Sequence, residues 1–436
     1  MTWQEEYRNK LSAPEEAIRK CVRSGDCIYG GGASVAVTTL NALFAAIDEG
    51  SLDHITLHAH SFCNPGFELE KYSFSPEQLR LPTFFMNPPD REALKNHKAE
   101  YMPLQYGMYD RYIEFHHPNV AIVLVSPPDE NGYCNIGPFG FTPAAMNCVT
   151  TIIGQVSKHV PRVNGSAHDY PVSRFAAFVE ADDPLALLNN PPTSEIESRI
   201  ASYILEFIKD GSCIQLGIGG IANAIGFNLK GRKHLGIHTE VLTESIIDLM
   251  ESGAVDNSQK AFNRGYSTIG FVLGSQRQYD YIDNNKDFMF VPFREVVSIR
   301  NIASIDNMIS INAAVSVDLT GQVCAESIGR RQYSGTGGQL DFVRGASLSK
   351  GGASFIAMPS VAHTKNGPTS RIVLDLAQGS IVTTPRTDVQ YVVTEYGCVN
   401  LMFSSIPDRV RKLISIAHPD YRDELVYQAR TAGLLY

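Results

Sequence analysis

Close cysteine pairs are missing from this sequence. Its eight cysteines, Cys21, Cys27, Cys63, Cys134, Cys148, Cys213, Cys324 and Cys398, form no Cys-x-x-Cys, so metal or dithiol chemistry is not expected. An excess of positive charge is missing too. The formal net charge of -9 argues against nucleic acid as the main partner, although backbone dipoles can still hold an anionic ligand. No apolar run approaches the ~20 residues of a membrane-spanning helix. The opening Met1-Thr2-Trp3-Gln4-Glu5-Glu6 is polar and acidic and has no apolar signal-peptide core. No membrane partner is expected, and free thiols suit a reducing cytoplasm.

What is there is the composition of a folded chain. Hydrophobic residues make up 44% and charged residues 19%, which excludes a disordered protein. At 436 residues the chain is too long for one ordinary core, and two domains are expected. The order of elements agrees. After a helical lead-in over 1–23, with Leu11, Ile18, Cys21 and Val22 covering one face, Cys27-Ile28-Tyr29 reads as a strand closed by Gly30-Gly31-Gly32. A helix over Ala36–Ile47 and a strand over Ile55–His60 complete a βαβ signature. Val120–Ser126 and Thr151–Val156 read as further strands, while 61–112 is less regular, broken at Asn87-Pro88-Pro89-Asp90. Turn formers at Leu188-Asn189-Asn190-Pro191-Pro192-Thr193 mark the best boundary. The expected domains are therefore 1–187 and 195–436, joined by a linker over 188–194.

The second half repeats this order with different residues. An amphipathic helix over Glu195–Ile208 feeds the strand Ser212–Leu216, which ends in Gly217-Ile218-Gly219-Gly220. A helix over Ile221–Leu229 and a strand over Leu235–His238 follow, with Glu240 just past the strand end. In open α/β sheets, ligands bind beyond the carboxyl ends of the strands. Glycines let the backbone approach a ligand there, and the next helix offers N–H groups to an anion. A carboxylate opposite such a loop is a candidate nucleophile. A carboxylate at a strand end is more often just a helix cap. A second glycine cluster, Ser334-Gly335-Thr336-Gly337-Gly338, offers N–H groups suited to a developing oxyanion, or is simply a flexible turn. Gly217-Ile218-Gly219-Gly220-Ile221-Ala222 also comes close to a dinucleotide fingerprint, with Glu240 near the position of a ribose-binding acid. A dinucleotide-dependent oxidoreductase is therefore the rival on bare sequence, and it leaves the second cluster unexplained. Glu326 and Glu395 are alternative carboxylates. His159, His168 and Asp169 either face a substrate or bridge loops.

Several longer stretches carry a resemblance. They are Leu216-Gly217-Ile218-Gly219, His234-Leu235-Gly236-Ile237-His238-Thr239-Glu240, Ser334 through Ala346, Val393-Thr394-Glu395-Tyr396-Gly397 and Ile416-Ala417-His418-Pro419-Asp420-Tyr421. In the first half, Val125-Ser126-Pro127-Pro128-Asp129 and Asn131-Gly132-Tyr133-Cys134 match as well. In these the chain resembles the acetyl-CoA hydrolase/transferase family, in its 4-hydroxybutyrate and butyryl-CoA:acetate CoA-transferase branch. The resemblance implies two tandem open α/β domains of the CoA-transferase fold. It implies coenzyme A or acyl-CoA as substrate, with no permanently bound cofactor and no metal. It makes Glu240 the catalytic glutamate. It makes Gln215, Leu216, Gly217, Ile218 and Gly219, with Gly220 beside them, the CoA-binding loop. Gly337 and Gly338 would contact the thioester end of CoA and form the oxyanion hole, Val315 would border the pantetheine channel, and Lys365 would reach a CoA phosphate. A homodimer or higher homo-oligomer is expected.

The chain departs from the family pattern at Ala222, at Gln105-Tyr106-Gly107-Met108-Tyr109-Asp110 and over 165–173. The last two stretches lie in the half expected to shape the acyl pocket, and the reading places them together. They leave open a dicarboxylate acceptor, such as itaconate with succinyl-CoA as donor, for which Arg91, Arg111 and His168 are candidate charged contacts. Hydrolysis of the acyl-CoA and non-catalytic CoA binding are the remaining alternatives.

Overall fold

A computed structural model describes residues 1–60, 63–67, 69–165, 167–188, 192–365 and 367–436. The chain divides into two compact units, Met1–Asn189 with Thr268–Glu295, and Asn190–Ser267 with Val296–Tyr436.

In the first unit, β1 (Cys27–Gly32), β2 (Ile55–Ala59), β3 (Leu79–Arg80), β4 (Val120–Val125), β5 (Thr151–Val156) and β6 (Ala177–Glu180) lie in one parallel sheet, in the order β6-β5-β4-β1-β2-β3. The short strand Ser34–Val35 pairs antiparallel with the end of β1. All six residues of β4, Val-Ala-Ile-Val-Leu-Val, are buried. An unbroken apolar run of this kind is what a central parallel strand covered on both faces requires. Helix α1 (Val37–Asp48) makes the crossover from β1 to β2.

The lead-in is two helices, Trp3–Lys10 and Pro14–Cys21, because Pro14 starts a new helix at its first position. Ile18 and Val22 are buried as expected, but Leu11 falls in the break and stays partly exposed. The stretch at Asn87-Pro88-Pro89-Asp90 is a helix start, over Pro88–Lys95, and not a break. Asn87 and Asp90 form a capping box and the prolines occupy its first positions. A further helix over Tyr109–His116 was not anticipated.

The expectation of an unbroken second domain over 195–436 differs from the packing. Thr268–Glu295 belongs to the first unit. Tyr279 Oη donates to the Ala186 carbonyl at 2.9 Å, Asn164 Nδ2 to the Phe288 carbonyl at 2.8 Å, and Phe293 stacks on Phe141 with ring centroids 4.2 Å apart. Residues 189–191 of the expected linker lie outside the described residues.

In the second unit, helix α2 (Glu195–Leu205) starts from a capping box of Ser194 and Glu197. It leads to β7 (Cys213–Leu216), helix α3 (Gly220–Asn228) and β8 (Gly236–Val241). Later strands are β9 (Met308–Ala313), β10 (Ala353–Ala357), β11 (Tyr391–Thr394) and β12 (Gly397–Asn400), with helix α4 (Gln339–Leu348) between β9 and β10. These strands follow the order β8-β7-β9-β10-β11-β12, parallel except for β12. The order reverses between β7 and β9, so the crevice of an open α/β sheet lies at their carboxyl ends. Beyond the sheet, Val317, Leu319, Val323, Val410 and Leu413 belong to a second apolar cluster.

Candidate active site

The carboxyl end of β7 runs into the first glycine loop. Leu216 is fully buried, Gly217 is half-buried, and Ile218 is exposed at the loop tip. Gly219 caps α3 with φ +130°, a conformation that favours glycine, and a side chain there would meet nothing within 4 Å. The loop therefore presents open backbone at a helix N-terminus. Gln215 does something else. Its Oε1 accepts from Ser310 Oγ at 2.8 Å and from the Ile311 N–H at 3.0 Å. The buried amide thus ties β7 to β9, and its side chain is occupied in holding the strands.

Glu240 lies inside β8, not beyond its end. Strand alternation puts it on one face with His238 and puts Thr239 on the other. Thr239 Oγ1 donates to the Leu216 carbonyl at 3.2 Å, which fixes the end of β8 beside the start of the glycine loop. His238 is fully buried. Its Nε2 donates to the Val296 carbonyl at 2.7 Å, and burial, with Lys260 nearby, lowers its pKa to about 3. It is a neutral packing residue, with Phe262 and Phe342 against its ring.

The second glycine cluster meets Glu240. The Gly338 backbone lies directly against the Glu240 carboxylate, and its N–H favours the ionised form. A Cβ on Gly338 would stand 2.2 Å from Glu240 Oε2 and 2.9 Å from Val297 Cγ1, so glycine is required by close approach. Gly337, at φ +62°, is backed by open space. Gly338 is the N-cap of α4, a helix that the sequence reading missed, and Asp341 sits buried in its first turn. Glycine is a tolerated N-cap and an acidic residue suits the first turn, but a glycine run before them reads equally as a loop.

These neighbours set the carboxyl's chemistry. Glu240 as a residue keeps some exposed surface, but its carboxyl is enclosed. Burial, and then the Asp341 carboxylate, raise its pKa from 4.5 to about 8, while the Gly338 N–H opposes the rise. Perturbation of this kind, in a group beside helix-terminal N–H donors, marks candidate catalytic carboxyls. The other carboxylates are occupied. Glu326 accepts from Thr336 and Thr383 hydroxyls, and Glu395 accepts from the Ser360 N–H at 2.8 Å and from Ser360 Oγ at 2.6 Å.

Not every expected residue gathers here. Val315 is half-buried, its N–H donating to the Cys324 carbonyl at 2.8 Å, and Lys365 is exposed at the turn of the hairpin Val361–Thr364 and Gly367–Ser370. In the first unit, Arg91 donates to the Met86 carbonyl at 2.8 Å and Arg111 is exposed. His168 is buried, with its pKa lowered to about 4 by desolvation. The departures at 105–110 and 165–173 pack on one segment, Tyr106 against Phe293 and His168 against Phe290. Among the described residues no group of three His, Cys, Asp or Glu side chains is placed to hold a metal, and no helix is long and apolar enough to cross a membrane.

Fold and site together define an α/β enzyme that sets a carboxyl of raised pKa against the N–H groups of a helix start. Comparison with known proteins gives the family. The acetyl-CoA hydrolase/transferase N-terminal domain matches residues 1–188 and the C-terminal domain of the same family matches 274–429, so the chain belongs to the acetyl-CoA hydrolase/transferase family and is an enzyme of CoA transfer. Glu240 lies between the two matched stretches, and full-length relatives cover it. The chain is 40% identical to a succinyl-CoA:cyclohexane-1-carboxylate CoA transferase of Geobacter metallireducens, over 98% of this chain and 97% of that protein. It is 37% identical to a 4-hydroxybutyrate coenzyme A transferase of Clostridium kluyveri, over 98% of each. The crystal structure of RipA from Yersinia pestis superposes with a TM-score of 0.92 at 32% identity, covering 100% of both chains. Family membership displaces the oxidoreductase reading.

Proposed function

We propose that this protein is an acyl-CoA:carboxylate CoA-transferase that works through a glutamyl-CoA thioester on Glu240. Short-chain acyl-CoAs (butyryl-, 4-hydroxybutyryl- or acetyl-CoA) are its donors. The observation that carries the reading is the contact between the Glu240 carboxyl and the Gly338 N–H at the start of α4. The ionised carboxylate attacks the acyl-CoA carbonyl and expels CoA thiolate, leaving an acyl-glutamyl anhydride. The thiolate then attacks the Glu240 carbonyl, giving the glutamyl-CoA thioester and the free acid. An incoming carboxylate reverses both steps, and one difficult exchange becomes several easier ones. The Gly337 and Gly338 N–H groups stabilise the oxyanion in each tetrahedral state.

The loop 217–220 holds CoA through its backbone, with Gln215 and Leu216 fixing the strand beneath it. Val315 borders the pantetheine arm and Lys365 meets a phosphate. The acceptor is a monocarboxylate. A buried second carboxylate needs a paired cation, and two of the three candidates do not supply one, since Arg111 is exposed and His168 is buried with its pKa lowered to about 4, while Arg91 already gives one N–H to the Met86 carbonyl. The enzyme acts as a homo-oligomer in a reducing cytoplasm, in keeping with its eight free cysteines. The experiment is a panel of acyl-CoAs, each with and without free acetate, butyrate, cyclohexanecarboxylate, succinate and itaconate, with product identification. Exchange into monocarboxylates supports the assignment. Release of CoA without an acceptor makes the protein a hydrolase, and exchange confined to dicarboxylates overturns the acceptor class.

A further inference from the structure

Gly337 and Gly338 are two adjacent glycines, which by themselves fix a backbone poorly. Under the proposed mechanism both N–H groups face one oxyanion, and Gly338 already lies against the Glu240 carboxyl. The structure holds the chain on either side of them. On one side, Thr336 Oγ1 donates to Glu326 Oε2 at 3.0 Å, and Glu326 Oε1 accepts from Thr383 Oγ1 at 3.1 Å. On the other, Thr384 Oγ1 donates to Gln339 Oε1 at 3.0 Å, and Gln339 Nε2 donates to the Ala313 carbonyl at the end of β9 at 2.8 Å. Two neighbouring buried threonines thus grip residues 336 and 339, and only the two glycines lie between the grips. Glu326 is itself 3% exposed. Its backbone carbonyl takes the Tyr333 and Ser334 N–H groups at 2.8 and 3.0 Å, so the whole approach to the glycines is built on it. A buried carboxylate costs free energy unless it is fully hydrogen-bonded, and its donors here come from the loop and from Thr383.

The geometry points to Glu326 as a positioning residue for the reaction: with Thr383 and Thr384 it forms a clamp that sets the Gly337 and Gly338 N–H groups against the Glu240 carboxyl. This inference rests on Glu240 as the nucleophile. Loosening the clamp moves the Gly338 backbone away from the Glu240 carboxyl, which removes a stabiliser of the ionised carboxylate and of the oxyanion together. The loss therefore falls on the chemical step and leaves the grip on CoA largely intact.

The test compares wild type, Glu326→Gln, Thr336→Val and Thr336→Ser in the full-length enzyme, with acetyl-CoA as donor and butyrate as acceptor. Glu326→Gln and Thr336→Val should lower kcat by about tenfold to a hundredfold, and KM for acyl-CoA should stay within about twofold. The midpoint of the pH–rate profile should move upward. Thr336→Ser, which keeps the hydroxyl, should recover most of the rate lost in Thr336→Val. If Glu326→Gln fails to fold, Thr336→Val decides. Folded variants with wild-type kcat and midpoint, or with raised KM at unchanged kcat, overturn the clamp. Peptide mapping of the CoA adduct in wild type separates the two claims. An adduct on Glu240 with unaffected variants removes only the clamp, whereas an adduct elsewhere removes the nucleophile on which it rests.

Discussion

Both units send a strand into a run of glycines, and the two runs serve different ends. In the first unit the glycines are filled from inside. A Cβ on Gly30 would stand 2.7 Å from Leu57 Cδ1, and one on Gly32 would stand 2.4 Å from His60 Cε1 and 2.8 Å from Phe141 Cδ2. In the second unit a Cβ on Gly217 would meet only the Ile311 carbonyl, at 3.6 Å, and one on Gly219 would meet nothing. The buried titratable groups differ in the same way. Beside Gly32 sits His60, whose ring nitrogens have no partner among the described residues and whose pKa burial lowers to about 3, so it is neutral packing. The second unit encloses a carboxyl with its pKa raised to about 8 and the Gly338 backbone packed against it. A glycine turn at a strand end is therefore no sign of a ligand until the space in front of it is known.

The sharpest way to break this comparison is to remove the carboxyl. Glu240→Ala should lower transfer by about a thousandfold or more with the circular dichroism spectrum unchanged. A variant that keeps a tenth of the wild-type rate would move the chemistry elsewhere. Next come the glycines themselves. Gly338→Ala should cost about a hundredfold in kcat, because the methyl displaces the Glu240 carboxyl. Gly32→Ala should instead cost about 1–3 kcal/mol of stability through overpacking, read as a lower Tm, with kcat per folded molecule retained. The reverse pattern would exchange the roles assigned to the two turns.

Titration gives a smaller and separable effect. The nucleophile is the ionised carboxylate, so kcat/KM of wild type should rise with pH and reach half its limit near pH 8. Stability should move the other way. Glu240 in the folded state holds a proton between pH 4.5 and about 8 that the unfolded chain has released. Stability then falls across that window by up to about 1.4 kcal/mol per pH unit and levels above it. Glu240→Gln should flatten that slope in denaturant titrations. The smallest effect is expected at Arg111, which is exposed. Arg111→Met should shift stability by no more than about 0.5 kcal/mol and leave the ratio of monocarboxylate to dicarboxylate turnover unchanged.

The central strands of both sheets were legible because parallel strands write continuous apolar runs, as at Val120–Val125, whereas the edge strands Leu79–Arg80, Ala177–Glu180 and Gly397–Asn400 went unread because they are short and carry no such run. The helix starts at Pro88 and Gly338 were not. In each case a residue read as a breaker, proline or glycine, occupies a position where a helix tolerates it. The return of Thr268–Glu295 to the first unit was invisible, since nothing local in that stretch records which core its aromatics fill. Glu240 and the glycines at 337 and 338 could be named from motifs. Asp341 could not be given a role, because its effect on Glu240 depends on a helix that had gone unread. Gln215 was placed in the CoA loop by resemblance, and only the contacts of its side chain with Ser310 and Ile311 reveal that it holds strands.

The central claim is that Glu240 carries CoA covalently during turnover. Wild-type enzyme mixed with butyryl-CoA, without acceptor, and quenched in acid should show by intact mass a population heavier by one CoA less water. Proteolysis should place that adduct on the peptide containing Glu240, and added acetate should discharge it. Reaction with borohydride before digestion should convert the same residue to its alcohol. A CoA adduct on Glu326, Glu395 or a cysteine, with Glu240 unmodified in protein that is turning over, would contradict the account.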